Sequence, residues 1–122
     1  MGSMHTGLEE HKDGIARMAA FFAARAKGGV GLIVTGGFGP NAEGATHPMT
    51  NLVKSDEDAR RHIPITDAVH NEGGKICMQI LHTGRYAYNP NSVAPSAIKA
   101  PINPFQPKEL DEDGIEKQIG DI

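Results

Sequence analysis

Two periods organise the apolar positions of the chain. Ile15, Met18, Ala19, Phe22 and Ala26 recur at the i, i+3, i+4, i+7 spacing of one buried helical face, which predicts a helix over Ile15–Ala26. Asp13 is its expected N-cap, and Gly28-Gly29 its left-handed stop. The next run, Val30-Gly31-Leu32-Ile33-Val34, is short, apolar and rich in β-branched residues, and predicts a buried strand ending at Thr35-Gly36-Gly37. Ser55 with Asp58 resembles a capping box that opens an acidic helical turn from Asp56. Pro64 breaks that helix and starts another, whose apolar positions Ile65, Ala68 and Val69 are closed by Gly73-Gly74. Lys75–Leu81 then predicts a second strand, buried on both faces. Asp111, Glu112 and Asp113 mark the start of a last helix, complementing its macrodipole, with Ile115, Ile119 and Ile122 on one face.

A helix between two strands is βαβ logic and predicts parallel pairing with a right-handed crossover. Phe38 to Lys54 is expected to be a long loop. The stretch carrying Pro90, Pro95, Pro101, Pro104 and Pro107 is either an ordered excursion or a flexible lid. Met1 to Gly7 reads as the tail of an earlier strand. So few parallel strands leave bare sheet edges, so the chain is expected to be truncated at both ends.

Candidate chemistry gathers at the strand ends. Gln79 interrupts an apolar strand, and an unpaired buried amide costs roughly 1–3 kcal/mol, so it must bond a neighbouring strand or face a polar ligand. His82-Thr83-Gly84-Arg85 follows, where α/β proteins place ligands. His5-Thr6-Gly7 repeats the same triplet; the alternative is turn chemistry with surface histidines. Thr35-Gly36-Gly37 either admits a ligand close to the backbone or is a plain tight turn. It has neither the dinucleotide nor the P-loop spacing. The six histidines show no metal-ligand spacing, His62 and His70 read as solvated, and no metal site is expected. The single Cys77 excludes a disulfide framework and reads as an inert core thiol.

Composition narrows the classes. With 122 residues and a net charge of −3, the chain is one domain at most, with no expected nucleic-acid or membrane partner. No apolar stretch approaches the roughly 20 residues of a bilayer span, and a cytoplasmic setting is expected.

Five segments carry a family resemblance: Gly2-Ser3-Met4-His5-Thr6-Gly7-Leu8-Glu9-Glu10, Leu32-Ile33-Val34-Thr35-Gly36-Gly37, Ala68-Val69-His70-Asn71-Glu72-Gly73-Gly74-Lys75, Gln79-Ile80-Leu81-His82-Thr83-Gly84-Arg85 and Val93-Ala94-Pro95-Ser96-Ala97. In this order they resemble the old yellow enzyme family of flavin-dependent ene-reductases. Within it they are most similar to the N-terminal part of the bacterial NADPH-dependent 2,4-dienoyl-CoA reductases. The resemblance implies an α/β fold, with residues 1–122 forming the N-terminal portion, about the first three βα units, of an FMN-binding (β/α)8 TIM barrel.

It also implies that Ser3, Met4, His5, Gly36 and Gln79 bind the cofactor FMN. His5 would lie near the reactive edge of the flavin, and Gln79 would bond its pyrimidine ring and tune its potential. An amide both donates and accepts, as that ring requires. The implied activity is reduction of a conjugated C=C bond in an enoyl- or dienoyl-CoA-type substrate, as in fatty acid β-oxidation, with NADPH as donor. The family's tyrosine acid, the 4Fe–4S cluster and the FAD domain belong to downstream sequence, so no catalytic residue is assigned; Tyr86 and Tyr88 do not match the acid. The chain alone is expected to be inactive, a fragment needing the missing barrel strands from its parent or from a complementing subunit. The alternatives are a non-catalytic remnant acting as a binding or assembly element, or a trimethylamine- or steroid-type relative.

Overall fold

Helix α1 (Gly14–Lys27) buries Met18, Phe22 and Ala26, the stripe expected from the apolar spacing. The computed structural model describes residues 1–48 and 51–122; the expected loop from Phe38 to Lys54 therefore lies partly outside the described residues. Gly29, at φ +96°, provides the left-handed stop after α1. Asp13 occupies the N-cap position, but its carboxylate makes no capping bond. It accepts instead from Arg17 Nε at 2.7 Å, because Asp13 has φ −101° and ψ 24° rather than the extended conformation a cap needs. That guanidinium holds the Asp13 carboxyl below the ordinary carboxylate range.

Strand β1 spans Leu32–Phe38, so it runs through Thr35-Gly36-Gly37, where the sequence predicts its end. Pairing with the strand Lys75–Ile80 holds it extended. The Met1 amino group donates to Leu32 O, and Val34 N–H donates to Met1 O, which lays the N-terminus along β1 as a strand-like neighbour. Helix α2 (Asp56–Arg60) is capped as expected: Ser55 Oγ accepts from Asp58 N–H at 3.2 Å. Pro64 sits in the first turn of α3 (Ile63–Asn71), which buries Ile65 and Val69 against α1. His62, expected to be solvated, is half-buried, with Nδ1 2.9 Å from Asp58 O at the junction of the two helices. Gly74 is required by packing: a Cβ there would lie 2.8 Å from Ala26 Cβ and 3.1 Å from Val69 Cγ1.

Strand β2 (Lys75–Ile80) pairs with β1. The bonds Lys75 N–H to Gly31 O and Leu81 N–H to Phe38 O run in the same sense along both strands, which makes the pairing parallel. β2 is not buried on both faces as expected. Lys75, Cys77 and Ile80 are exposed and the residues between them half-buried, because β1 is its one strand neighbour among the described residues. Cys77 is thus a surface thiol, not a core one.

The chain divides into two compact units, Met1–Gly37 with Ser55–Gln79, and Phe38–Lys54 with Ile80–Ile122. In the second, the proline-rich stretch is an ordered excursion. The short strands β3 (Val93–Ala94) and β4 (Lys108–Glu109) pair in parallel within it. Buried Asn89 donates to Ala42 O at 2.7 Å, and buried Asn103 to Ala87 O at 2.9 Å, so side-chain amides satisfy loop carbonyls that no sheet reaches. Helix α4 (Glu112–Asp121) starts where Asp111 accepts from Gly114 N–H at 2.8 Å. Its isoleucines Ile115, Ile119 and Ile122 are exposed.

Candidate functional site

The first unit brings together the segments the sequence singles out. Ser3 Oγ donates to Gln79 Oε1 at 2.7 Å, joining the N-terminal segment to the end of β2. Gly36, in β1, faces the same segment: a Cβ there would lie 3.0 Å from Met4 O, 3.1 Å from His5 Cα and 3.3 Å from Glu9 Oε1. The missing side chain of Gly36 therefore admits the Met4–His5 backbone, a role the sequence does not suggest. Ser3, Met4 and His5 are exposed and Gln79 is half-buried, so the polar edge of this cluster is open. His5 Nε2 lies 3.4 Å from Glu10 Oε1, an ion pair when the ring is protonated.

Two residues that sequence reasoning missed hold this cluster. Buried Thr35 accepts from Gln79 N–H at 3.1 Å through Oγ1 and donates to Gly36 O at 2.8 Å. Glu9 accepts from Thr6 Oγ1 at 3.0 Å and fixes the turn after His5. The signal for Thr35 is its place before two glycines at the end of an apolar run, where a side-chain hydroxyl can reach the neighbouring main chain.

The two His-Thr-Gly triplets share a local geometry. Gly7 (φ +72°) and Gly84 (φ +59°) are both left-handed, and each leads into a 3-10 turn, Leu8–Glu10 and Gly84–Tyr86. Their histidines differ. In the second unit, His82 Nδ1 accepts from Gly84 N–H at 3.2 Å, which leaves the ring proton on Nε2, 3.1 Å from Gln118 Oε1. Gln118 Nε2 donates to Glu43 Oε2 at 3.1 Å, and Lys117 Nζ lies 2.8 Å from both Glu43 and Asp121. Lys117, with Gln118 adding to it, holds the Glu43 carboxyl below its ordinary range; Lys117 and Asn41 do the same for Asp121. Asp121 and then Glu43 push the Lys117 ammonium up. The network anchors α4 to the loop after β1. No His, Cys, Asp or Glu cluster suited to a metal ion occurs among the described residues. No helix among them is long and apolar enough to cross a membrane.

Comparison with known proteins places this geometry. Residues 1–121 match the model of the NADH:flavin oxidoreductase / NADH oxidase family. A metal reductase of Desulforamulus reducens is 38% identical over 123 residues, covering 94% of this chain and 18% of that protein. An NADPH dehydrogenase of Listeria welshimeri is 32% identical over 116 residues, covering 93% and 34%. The chain thus spans well under half the length of these relatives. Among solved structures, the old yellow enzyme homologue of Zymomonas mobilis superposes with a TM-score of 0.80 at 30% identity, covering 99% of this chain and 38% of that one. A 2-naphthoyl-CoA reductase in complex with 2-naphthoyl-CoA superposes with a TM-score of 0.75 at 27% identity, covering 86% and 18%. The fold is accordingly α/β, the N-terminal portion of a TIM (β/α)8 barrel. With its parallel strands, its cluster at their carboxyl ends and this match along almost its full length, the chain belongs to the NADH:flavin oxidoreductase / NADH oxidase family, the old yellow enzyme family.

Proposed function

We propose that residues 1–122 are the flavin-facing N-terminal part of an FMN-dependent reductase of conjugated C=C bonds, with Ser3, Met4, His5, Gly36 and Gln79 holding the cofactor. The observation that carries this reading is the Ser3–Gln79 bond beside the packing of Gly36 on Met4–His5. The residues fit a flavin. With Gln79 Oε1 engaged by Ser3, its Nε2 is left as a donor for a ring carbonyl, and the Ser3 oxygen remains an acceptor for a ring N–H. Bound FMN would supply the hydride. The chain's own part is to orient the ring, and no residue here is assigned as the proton donor.

The substrate is proposed to be an unsaturated acyl-CoA or enone, with the dienoyl-CoA reductases as the nearest branch and NADPH as donor. Support comes from the CoA-ester complex of one structural relative and from the NADPH dehydrogenase relative. The 4Fe–4S cluster and FAD of such reductases, and the remaining barrel strands, would come from the parent chain or a complementing subunit. Exposed Ile80 and Leu81, at the end of β2, support a need for that cover. A cytoplasmic location is part of the same proposal.

The test is an FMN titration of the 122-residue chain, followed by flavin fluorescence. The expected result is saturable binding that Gln79→Ala weakens about tenfold, the equivalent of one charge-assisted or two neutral hydrogen bonds. Binding that ignores Gln79→Ala would remove Gln79 from the site. No binding would show that these residues do not form a flavin site without further strands.

A further inference from the structure

At the carboxyl end of β2 the Gln79 N–H donates to the Thr35 hydroxyl, at 3.1 Å, so a side chain of β1 joins the main chain of its neighbour there. The same hydroxyl donates its own proton to Gly36 O at 2.8 Å. Thr35 is buried, with 6% of its surface exposed, so water does not compete for either bond.

The geometry points to Thr35 as a positioning residue: its hydroxyl, bonded to both, sets where the Gln79 and Gly36 backbones present themselves to the cofactor. This rests on the flavin reading of the cluster. A hydroxyl reaches farther from its own backbone than a carbonyl does, and it can accept and donate together. One side chain thereby ties both flavin-facing residues to a single buried point. A carbonyl could accept from Gln79 but could not also donate to Gly36. Valine has the shape of threonine and neither function; serine keeps both and loses only a methyl group.

The test compares Thr35→Val and Thr35→Ser with the unaltered chain in two readouts. The first, independent of the flavin, is amide hydrogen exchange at Gln79 followed by NMR. Thr35→Val should speed exchange there at least about tenfold, while Thr35→Ser stays within about threefold. The second is FMN affinity, which Thr35→Val should weaken about three- to tenfold and Thr35→Ser should largely keep. Unchanged exchange in Thr35→Val, or Thr35→Ser behaving like Thr35→Val, overturns the hydroxyl's role. Altered exchange with unaltered FMN affinity overturns the link to the cofactor. If the unaltered chain does not bind FMN, these residues form no flavin site without further strands and the link to the cofactor fails for this chain, while the exchange experiment still decides whether the hydroxyl holds Gln79.

Discussion

The imidazole of His82 occupies the space a side chain at residue 44 would need: a Cβ on Gly44 would lie 2.6 Å from His82 Cδ2 and 3.0 Å from Cγ. Gly44 also accepts from Thr83 through its carbonyl, by N–H at 2.9 Å and by Oγ1 at 3.0 Å, so neither segment can simply withdraw. Gly44→Ala should therefore destabilise the second unit by about 1–3 kcal/mol, the usual cost of overpacking. Combining it with His82→Ala should return part of that loss. A double-mutant cycle in urea measures it, and strictly additive effects would contradict the contact.

The Glu43–Lys117–Asp121 network sets a pH window for the docking of α4. Glu43 and Asp121 titrate below their ordinary ranges, so their contribution is present above the ordinary carboxylate range and fades as pH falls through the depressed values. Lys117 titrates above its ordinary value, so its share is full below the ordinary lysine range and is lost as pH rises through the raised one. Protection of the α4 amides, corrected for the intrinsic pH dependence of exchange, should be greatest between these limits. Lys117→Met should flatten both limbs, and added salt should narrow the difference, since these groups are partly exposed.

Asp111→Ala should cost about 1 kcal/mol of stability, because the cap bond to Gly114 N–H is lost. Asp111→Asn, which keeps an acceptor oxygen, should retain most of it. Thermal unfolding by circular dichroism separates the two; equal losses would assign the effect to charge alone.

Gly74→Ala tests the first unit in the same way. Its new methyl group would meet Ala26 Cβ and Val69 Cγ1, and should cost about 1–3 kcal/mol. Val69→Ala, which empties a fully buried position, should cost about 1–3 kcal/mol by itself and should reduce the penalty of Gly74→Ala in the double variant. Calorimetry or urea unfolding measures both, and a neutral Gly74→Ala would contradict the close packing.

What the amino-acid pattern discloses is local. Spacing alone locates α1, the Ser55 cap, the start of α4 and the break at Pro64, because each depends on residues a turn or less apart. The Gln79 anomaly is also readable, since an amide in an apolar strand demands a partner. Its partner Ser3 lies 76 positions away, beyond the reach of periodicity. Thr35 escapes for a different reason: whether its hydroxyl meets the neighbouring strand depends on strand register, which composition does not encode. The exposure of β2 is not legible because an apolar run reports what a strand can bury, and burial here depends on neighbours.

That exposure makes Cys77 useful. It is the one thiol in the sequence and it stands at the surface of β2, so a single maleimide dye or spin label would mark that strand without any mutation. Its rate of alkylation becomes a reporter of shielding. Anything that comes to cover β2, a further segment or another subunit, should slow the reagent.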